Sequence, residues 1–251
     1  MQKIQIYENE EQLFRNAAAL FLTLTEQAAY KKEKIYLALS GGSTPNNLYS
    51  KLVEKKDLYP WQLMEIYFSD ERMVPLDDEG SNYYHAAKNL LDPVGHPQAQ
   101  RHTPDVTLPM EEASKNYEND IRAQVPYRDG IPFFDVIFLG LGNDGHTASL
   151  FPHRIDEDIF QYLVVPAEAK YQGRPSFRVS MTPRLINNAA NVIFLLSGYA
   201  KAQAVYHTLM EKQDWHIWPA CSITGDRNNV YWLMDEAAAE YLENAAVNKE
   251  K

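Results

Sequence analysis

Cysteine occurs once in the 251 residues, at Cys221, which excludes an internal disulfide and any metal site built from clustered thiolates. No apolar run has the length of a membrane-spanning helix, and the opening MQKIQIYENE lacks the hydrophobic core of a secretory leader, so a cytoplasmic protein is expected. Basic residues are outnumbered, 24 Lys and Arg against 34 Asp and Glu, for a net charge of -10. Nucleic acid and anionic membranes require a basic face that displaces counterions, so neither is expected as a partner. A small phosphorylated ligand remains compatible with this balance. Screening limits distant charges to about 8 Å at physiological salt, so a few cations lining a pocket outweigh an acidic exterior. There is no repeat, low-complexity tract or linker. The loose stretches are Asp92 to Pro109 and the polar tail after Asn244, so residues 1–251 are read as one domain.

What the chain has instead is alternation. Lys3 to Tyr7 reads as a half-exposed edge strand, followed by an amphipathic helix over Glu11 to Tyr30 with Leu13, Ala17, Phe21, Leu24 and Ala28 at helical spacing. Ile35 to Leu39, Met64 to Phe68, Tyr162 to Val165, Phe177 to Met181, Asn191 to Ser197 and Val230 to Met234 read as further strands, and Trp218 to Ile223 as a short extended segment. Helices are expected from Ser81 to Leu91, Met110 to Val125, after Thr182-Pro183, over YAKAQAVYHTLM and over DEAAAEYL, with Asp235 near the start of the last. Strands alternating with helices predict an α/β fold: one mainly parallel sheet with helices on both faces.

The stretch Phe133 to Pro152, FFDVIFLGLGNDGHTASLFP, carries the strongest chemical signal. Its apolar first part fits a strand buried on both faces. The glycine-broken turn LGNDGH then places Asp144 and His146 at the strand's carboxyl end, where open α/β sheets bind ligands. Imidazole titrates near neutrality, which suits His146 to general-base work; helix capping is the competing reading. Thr147, Ala148, Leu150 and Phe151 are expected to continue into a helical turn. In SGGSTP, Gly41 and Gly42 allow close backbone approach, and Ser43 or Thr44 caps a helix with Pro45 first, leaving amides that favour an anion. A tight turn without a ligand explains the same residues. The triplet Asp70, Glu71, Arg72 ends another strand, either solvated or delivering Arg72 to an oxyanion. Lys201 falls in the first turn of its helix, where its charge opposes the dipole unless an anion shares that end.

The motifs LGLGNDGHTASLFP, ALSGGSTP (Ala38 to Pro45), FSDERMVP (Phe68 to Pro75, followed by SNYY) and VYWLMDEAAA, in this order, resemble the 6-phosphogluconolactonases. That family shares a sugar-phosphate superfamily with the glucosamine-6-phosphate deaminases and is similar in fold to ribose-5-phosphate isomerase. The resemblance spans nearly the whole chain. It implies hydrolysis of 6-phospho-D-glucono-1,5-lactone without metal, cofactor or covalent intermediate, while the sequence leaves open a monomer or a small homo-oligomer. It further implies that His146, Asp144 and Arg72 serve catalysis, and that Gly41, Gly42, Ser43, Thr44, Asp70, Arg178 and Lys201 hold the substrate. The family's Lys-Pro-Pro before the arginine is replaced here by Gly173, Arg174, Pro175. In the deaminase branch the DGH turn is usually followed by Ile-Ala-Phe-Asn-Glu-Pro and the acid motif is Asp-Glu-Tyr, against TASLFP and Asp-Glu-Arg here. A sugar-phosphate sensor without turnover is the third expectation, because a fold alone does not certify catalysis.

Overall fold

The computed structural model describes residues 1–169, 171, 173, 175–211 and 214–249. The first half of the chain forms β1 (Gln2–Tyr7), α1 (Glu10–Ala29), β2 (Ile35–Leu39), α2 (Ser43–Glu54), β3 (Met64–Phe68), β4 (Asp70–Arg72), α3 (Asn82–Ala86) and α4 (Met110–Gln124). Then follow β5 (Tyr127–Arg128), β6 (Ile131–Pro132), β7 (Val136–Leu139), β8 (Val164–Glu168), β9 (Phe177–Met181), α5 (Pro183–Ile186), β10 (Asn191–Leu196), α6 (Ala202–Tyr206), β11 (Asn229–Asp235) and α7 (Glu236–Lys249).

The main sheet has the order β1-β11-β10-β7-β2-β3, and every neighbouring pair is parallel. Because successive side chains of a strand point to opposite faces, its buried runs feed two cores. Tyr36, Ala38, Ile137, Leu139, Phe194 and Trp232 pack on one side with α4, α6 and α7; Ile35, Leu37, Val136, Phe138, Ile193 and Leu233 pack on the other with α1 and α2. The Phe194 and Trp232 rings stack at 3.9 Å. Burying each such side chain contributes about 1.5–3 kcal/mol, so the parallel strands are held by their apolar content on both faces. From β2 the chain proceeds to β3 on one side; from β7 it proceeds to β10 on the other. The loops after β2 and β7 therefore flank a crevice at the point where the winding reverses.

A second sheet was not foreseen. Asp70 to Arg72 does not simply end β3: it forms β4, antiparallel to β9, which in turn pairs antiparallel with β8. A single residue, Ser69, joins the two sheets; its N–H donates to Leu39 O (2.8 Å), and its carbonyl accepts from Met181 N (2.8 Å). The pairing sets Arg72 opposite Arg178 and Asp70 opposite Ser180.

Several local expectations need correction. The helix after β2 begins at Ser43, not Pro45, with Gly42 as its N-cap at φ 111° and no side-chain cap; that positive φ is a conformation glycine adopts without penalty. Thr147 to Phe151 is a non-helical turn with Ala148 at φ 48°, closed by Leu150 N–H to Thr147 O at 3.0 Å. Trp218 to Ile223 is not extended: Pro219–Ser222 is a 3-10 turn. Thr182 precedes α5 as foreseen, but its hydroxyl donates to Tyr162 O (2.7 Å) and does not cap the helix. Ser81 does cap α3, accepting from Tyr84 N (3.2 Å), and the helix widens towards Leu91, where Asp92 N–H reaches Ala87 O. Arg174 lies outside the described residues, as does the side chain of Ser43.

Candidate active site

One cavity of about 170 Å³ at the carboxyl ends of the parallel strands is lined by Gly41, Gly42, Thr44, Asp70, Arg72, His146, Arg178 and Lys201, together with Tyr171. Residues scattered over 160 positions of sequence meet there because four crossing points converge. The turn after β2 supplies the glycines and Thr44, β4 and β9 supply Asp70, Arg72 and Arg178, the turn after β7 supplies His146, and the turn after β10 supplies Lys201.

The β7 turn is built around Gly142, whose N–H donates to His146 O (2.7 Å). A Cβ at position 142 would lie 2.0 Å from His146 Nδ1 and 2.4 Å from Asp144 Oδ1, so glycine there is what lets the two side chains fold against the turn. His146 Nδ1 stands 2.6 Å from Asp144 Oδ1. Burial works against ionisation of Asp144, but the hydrogen bond and charge of His146, aided by Tyr171, outweigh it and hold the carboxyl well below the usual carboxylate range. An ionised carboxylate only accepts, so Nδ1 carries a proton towards Asp144 and Nε2 is the ring nitrogen left for another partner; among the described residues nothing hydrogen-bonds Nε2. Thr147 Oγ1 donates to Gly140 O (2.9 Å), tying the turn back to the strand end.

The second sheet provides a cationic wall. Arg72 and Arg178 are directly opposite each other in the antiparallel register, an arrangement that repels unless an anion lies between or beside the guanidiniums. Arg178 is only 4% exposed, with Nη1 3.9 Å from Asp70 Oδ2 and its guanidinium 5.6 Å from the Phe151 ring, the same ring that packs 5.1 Å from His146. Arg72 Nη1 donates to Gly80 O (2.7 Å). Asp70 accepts from Ser149 Oγ (2.7 Å) and Asn82 Nδ2 (3.3 Å), so its carboxylate is largely spent inside the wall. Its neighbour Glu71 is fully buried and receives Arg72 N, Asn82 N, Tyr83 N and Ser81 Oγ, pinning the start of α3 to β4. Burial pushes the Glu71 carboxyl up, against the pull of those backbone donors.

The remaining cation, Lys201, reaches Asn143 Oδ1 at 3.0 Å. Its turn is shaped by Asp235, which accepts from Gly198 N (3.0 Å) and Ser197 Oγ (2.6 Å) while capping α7 at Ala238 N (2.8 Å). Across the cavity, the first turn of the twelve-residue α2 has neither a side-chain cap nor an acidic residue, so its amides face the same space with the positive end of the helix dipole.

Of the residues singled out from sequence, Gly41, Gly42, Thr44, Asp70, Arg72, His146, Arg178 and Lys201 line this cavity; Asp144 is bonded to His146 without lining it, and the side chain of Ser43 lies outside the described residues. Ser149, Asn82, Asn143 and Tyr171 were missed. Ser149 and Asn143 lie inside the recognised motif but carry no distinctive spacing, Asn82 belongs to the SNYY that follows FSDERMVP, and the only sign of Tyr171 was a lone aromatic residue in a polar, glycine-containing loop.

Comparison with known proteins bears on the same features. Residues 8–232 match the family model described as glucosamine-6-phosphate isomerases/6-phosphogluconolactonase. A 6-phosphogluconolactonase of Synechocystis is 33% identical over 96% of this chain and 98% of its own length, and the human 6-phosphogluconolactonase is 33% identical over 95% and 93%. The solved 6-phosphogluconolactonase of Trypanosoma brucei superposes with a TM-score of 0.85 at 26% identity, covering 96% of this chain and 99% of that one. With fold, motifs and near-complete coverage in agreement, the chain belongs to the glucosamine-6-phosphate isomerase/6-phosphogluconolactonase family.

Proposed function

We propose that this protein hydrolyses 6-phospho-D-glucono-1,5-lactone to 6-phospho-D-gluconate, the second step of the oxidative pentose phosphate pathway. The observation that carries the reading is the pairing, in one cavity, of the Asp144–His146 dyad with a wall in which Arg72 and Arg178 stand opposite each other. A dianionic phosphate is matched by the clustered positive charge of that wall, of Lys201 and of the α2 amides. The lactone carbonyl is electrophilic enough for direct attack by water, so the demands on the protein are a base, charge stabilisation and a phosphate clamp.

In this reading Nε2 of His146 takes a proton as the water oxygen bonds to C1. Asp144 holds the imidazole and offsets its positive charge. As the tetrahedral intermediate collapses, the C1–ring oxygen bond breaks and the same proton passes to the ring oxygen, giving the acid and the C5 hydroxyl. Arg72 steadies the negative charge near the carbonyl. The Gly41 to Thr44 turn, Arg178 and Lys201 hold the phosphate, and Asp70 keeps Arg178 in place.

The deaminase alternative finds less support. The turn after His146 carries Thr147 and Ser149, whose hydroxyls are committed to Gly140 and Asp70, and no carboxylate. The test generates the lactone in situ with glucose-6-phosphate dehydrogenase and follows its disappearance with and without the protein, beside a parallel assay of ammonia release from glucosamine 6-phosphate. Accelerated lactone loss without ammonia is expected. Ammonia release, or tight binding of 6-phosphogluconate with no acceleration, refutes the reading.

A further inference from the structure

The Asp144–His146 pair has a third member that neither the motif nor the family comparison assigns. Tyr171 donates its hydroxyl to Asp144 Oδ2, the carboxylate oxygen left over by the imidazole, and that hydroxyl lies 3.2 Å from His146 Nδ1. Its ring packs 5.8 Å from the imidazole and 5.7 Å from Phe151, which fixes the phenol from the side as well as at its tip. The residue sits past the end of the β8–β9 ladder, where Ala169 N–H donates to Ser176 O (2.7 Å), so the hairpin that delivers Arg178 to the cavity also delivers Tyr171.

We propose that Tyr171 is a positioning residue for the hydrolysis: by clamping the second oxygen of Asp144 it fixes the carboxylate plane, and through it the imidazole whose Nε2 faces the substrate. This rests on the lactonase reading above. The Asp144 side chain is 38% exposed, and one held only through Oδ1 would turn about its two side-chain bonds and exchange Oδ2 with water. A phenol O–H to an ionised carboxylate is a charge-assisted bond, shorter and stronger than a neutral one, and a tyrosine has few torsions to lose. The clamp thus replaces mobile solvent with a fixed donor. Orientation matters at this level because a displacement of about 1 Å of a reacting group costs up to about 10²-fold in rate.

Tyr171→Phe removes the donor and keeps the ring. It is expected to lower kcat about 5- to 30-fold while KM stays within about twofold, since the hydroxyl acts on the base and not on the bound sugar phosphate. In an Asp144→Asn background the same change should cost nothing further, because the group it acts through has already been altered. An equal loss in both backgrounds, an unchanged kcat, or a rise of KM that accounts for the loss overturns the proposal. A proton NMR measurement separates it from the function itself. The Nδ1 proton of His146 is expected as a sharp downfield resonance in the parent protein and to be lost in Asp144→Asn, and it should broaden in Tyr171→Phe through faster exchange. An undisturbed resonance refutes the clamp whether or not the protein proves to be a lactonase.

Discussion

Replacing Arg178 with methionine separates two roles that the cavity wall combines. Arg178 and Asp70 are both buried and face each other at 3.9 Å. Breaking a buried ion pair by removing one partner costs about 3–5 kcal/mol in general. Here the cost should be smaller, about 2 kcal/mol, because Asp70 keeps its hydrogen bonds from Ser149 and Asn82 and the separation is too long for a direct hydrogen bond. For a chain of this size that lowers Tm by roughly 4–8 °C. Losing a charged hydrogen bond to phosphate removes a further about 1.5–3 kcal/mol of binding, which raises KM about 10- to 150-fold. The double variant Asp70→Asn/Arg178→Met no longer buries an uncompensated charge, so it should recover most of the Tm and none of the KM. Thermal unfolding and the dehydrogenase-coupled assay read the two effects independently. An unchanged KM in Arg178→Met refutes the anion-binding role. A double variant less stable than the single one refutes the buried-pair argument.

Three further outcomes are expected. His146→Ala should lower turnover about 10²- to 10⁴-fold in the coupled assay, and undiminished turnover would remove it as general base. Gly142→Ala drives a methyl group into both members of the dyad, so activity should fall about tenfold or more while the unfolding midpoint barely moves; a fully active variant would show that the dyad tolerates displacement. His102 stacks on Tyr67 at 4.2 Å between Glu65 (2.9 Å) and Asp120 (3.2 Å). Burial disfavours its charged form, but the hydrogen bonds and charges of Asp120 and Glu65 prevail and raise its pKa. A raised folded-state pKa stabilises fully below the unfolded value of about 6.5 and fades as pH climbs through the folded one. His102→Gln should therefore lose more Tm relative to the parent at about pH 6 than at about pH 9, and an equal loss at both would contradict the ion-pair origin.

The parallel sheet was legible because a strand buried on both faces must be apolar throughout, as IYLAL, MEIYF and NVIFLL nearly are. The second sheet was hidden for the opposite reason. Asp70, Glu71 and Arg72 read either as solvated charge or as a strand end delivering Arg72 to an oxyanion, and neither reading implies a strand; yet Asp70 and Glu71 are buried, answered by partners elsewhere in the chain, Arg178 and the N–H groups at the start of α3. No local pattern encodes such compensation. The turn after His146 was misread as helical because its apolar spacing fits a helix, while Ala148 at φ 48° follows from hydrogen bonds that its neighbours Thr147 and Ser149 make to Gly140 and Asp70. The residues singled out by chemistry unusual for their place are Asp144, His146, the Gly41 to Thr44 turn and Lys201, whereas Arg178 and Asp70 are named as substrate ligands only through the resemblance. Tyr171 was overlooked because nothing in its own segment reveals that Asp144 is within reach.

Ser69 is the one residue between β3 and β4, and it bonds to both layers. The crevice thus draws its floor from the parallel strand ends and its arginine wall from the antiparallel sheet, which is tied to the rest of the chain at Ser69, at Glu118, whose carboxylate accepts from Leu163 N (2.9 Å) and Val164 N (3.1 Å), and at Ser149, whose N–H donates to Ser180 Oγ (3.1 Å). Because Tyr171 and Arg178 come from the same hairpin, a change there bears on the Asp144–His146 pair and on the cationic wall together, so in this architecture a shift in substrate preference is coupled to a shift in turnover.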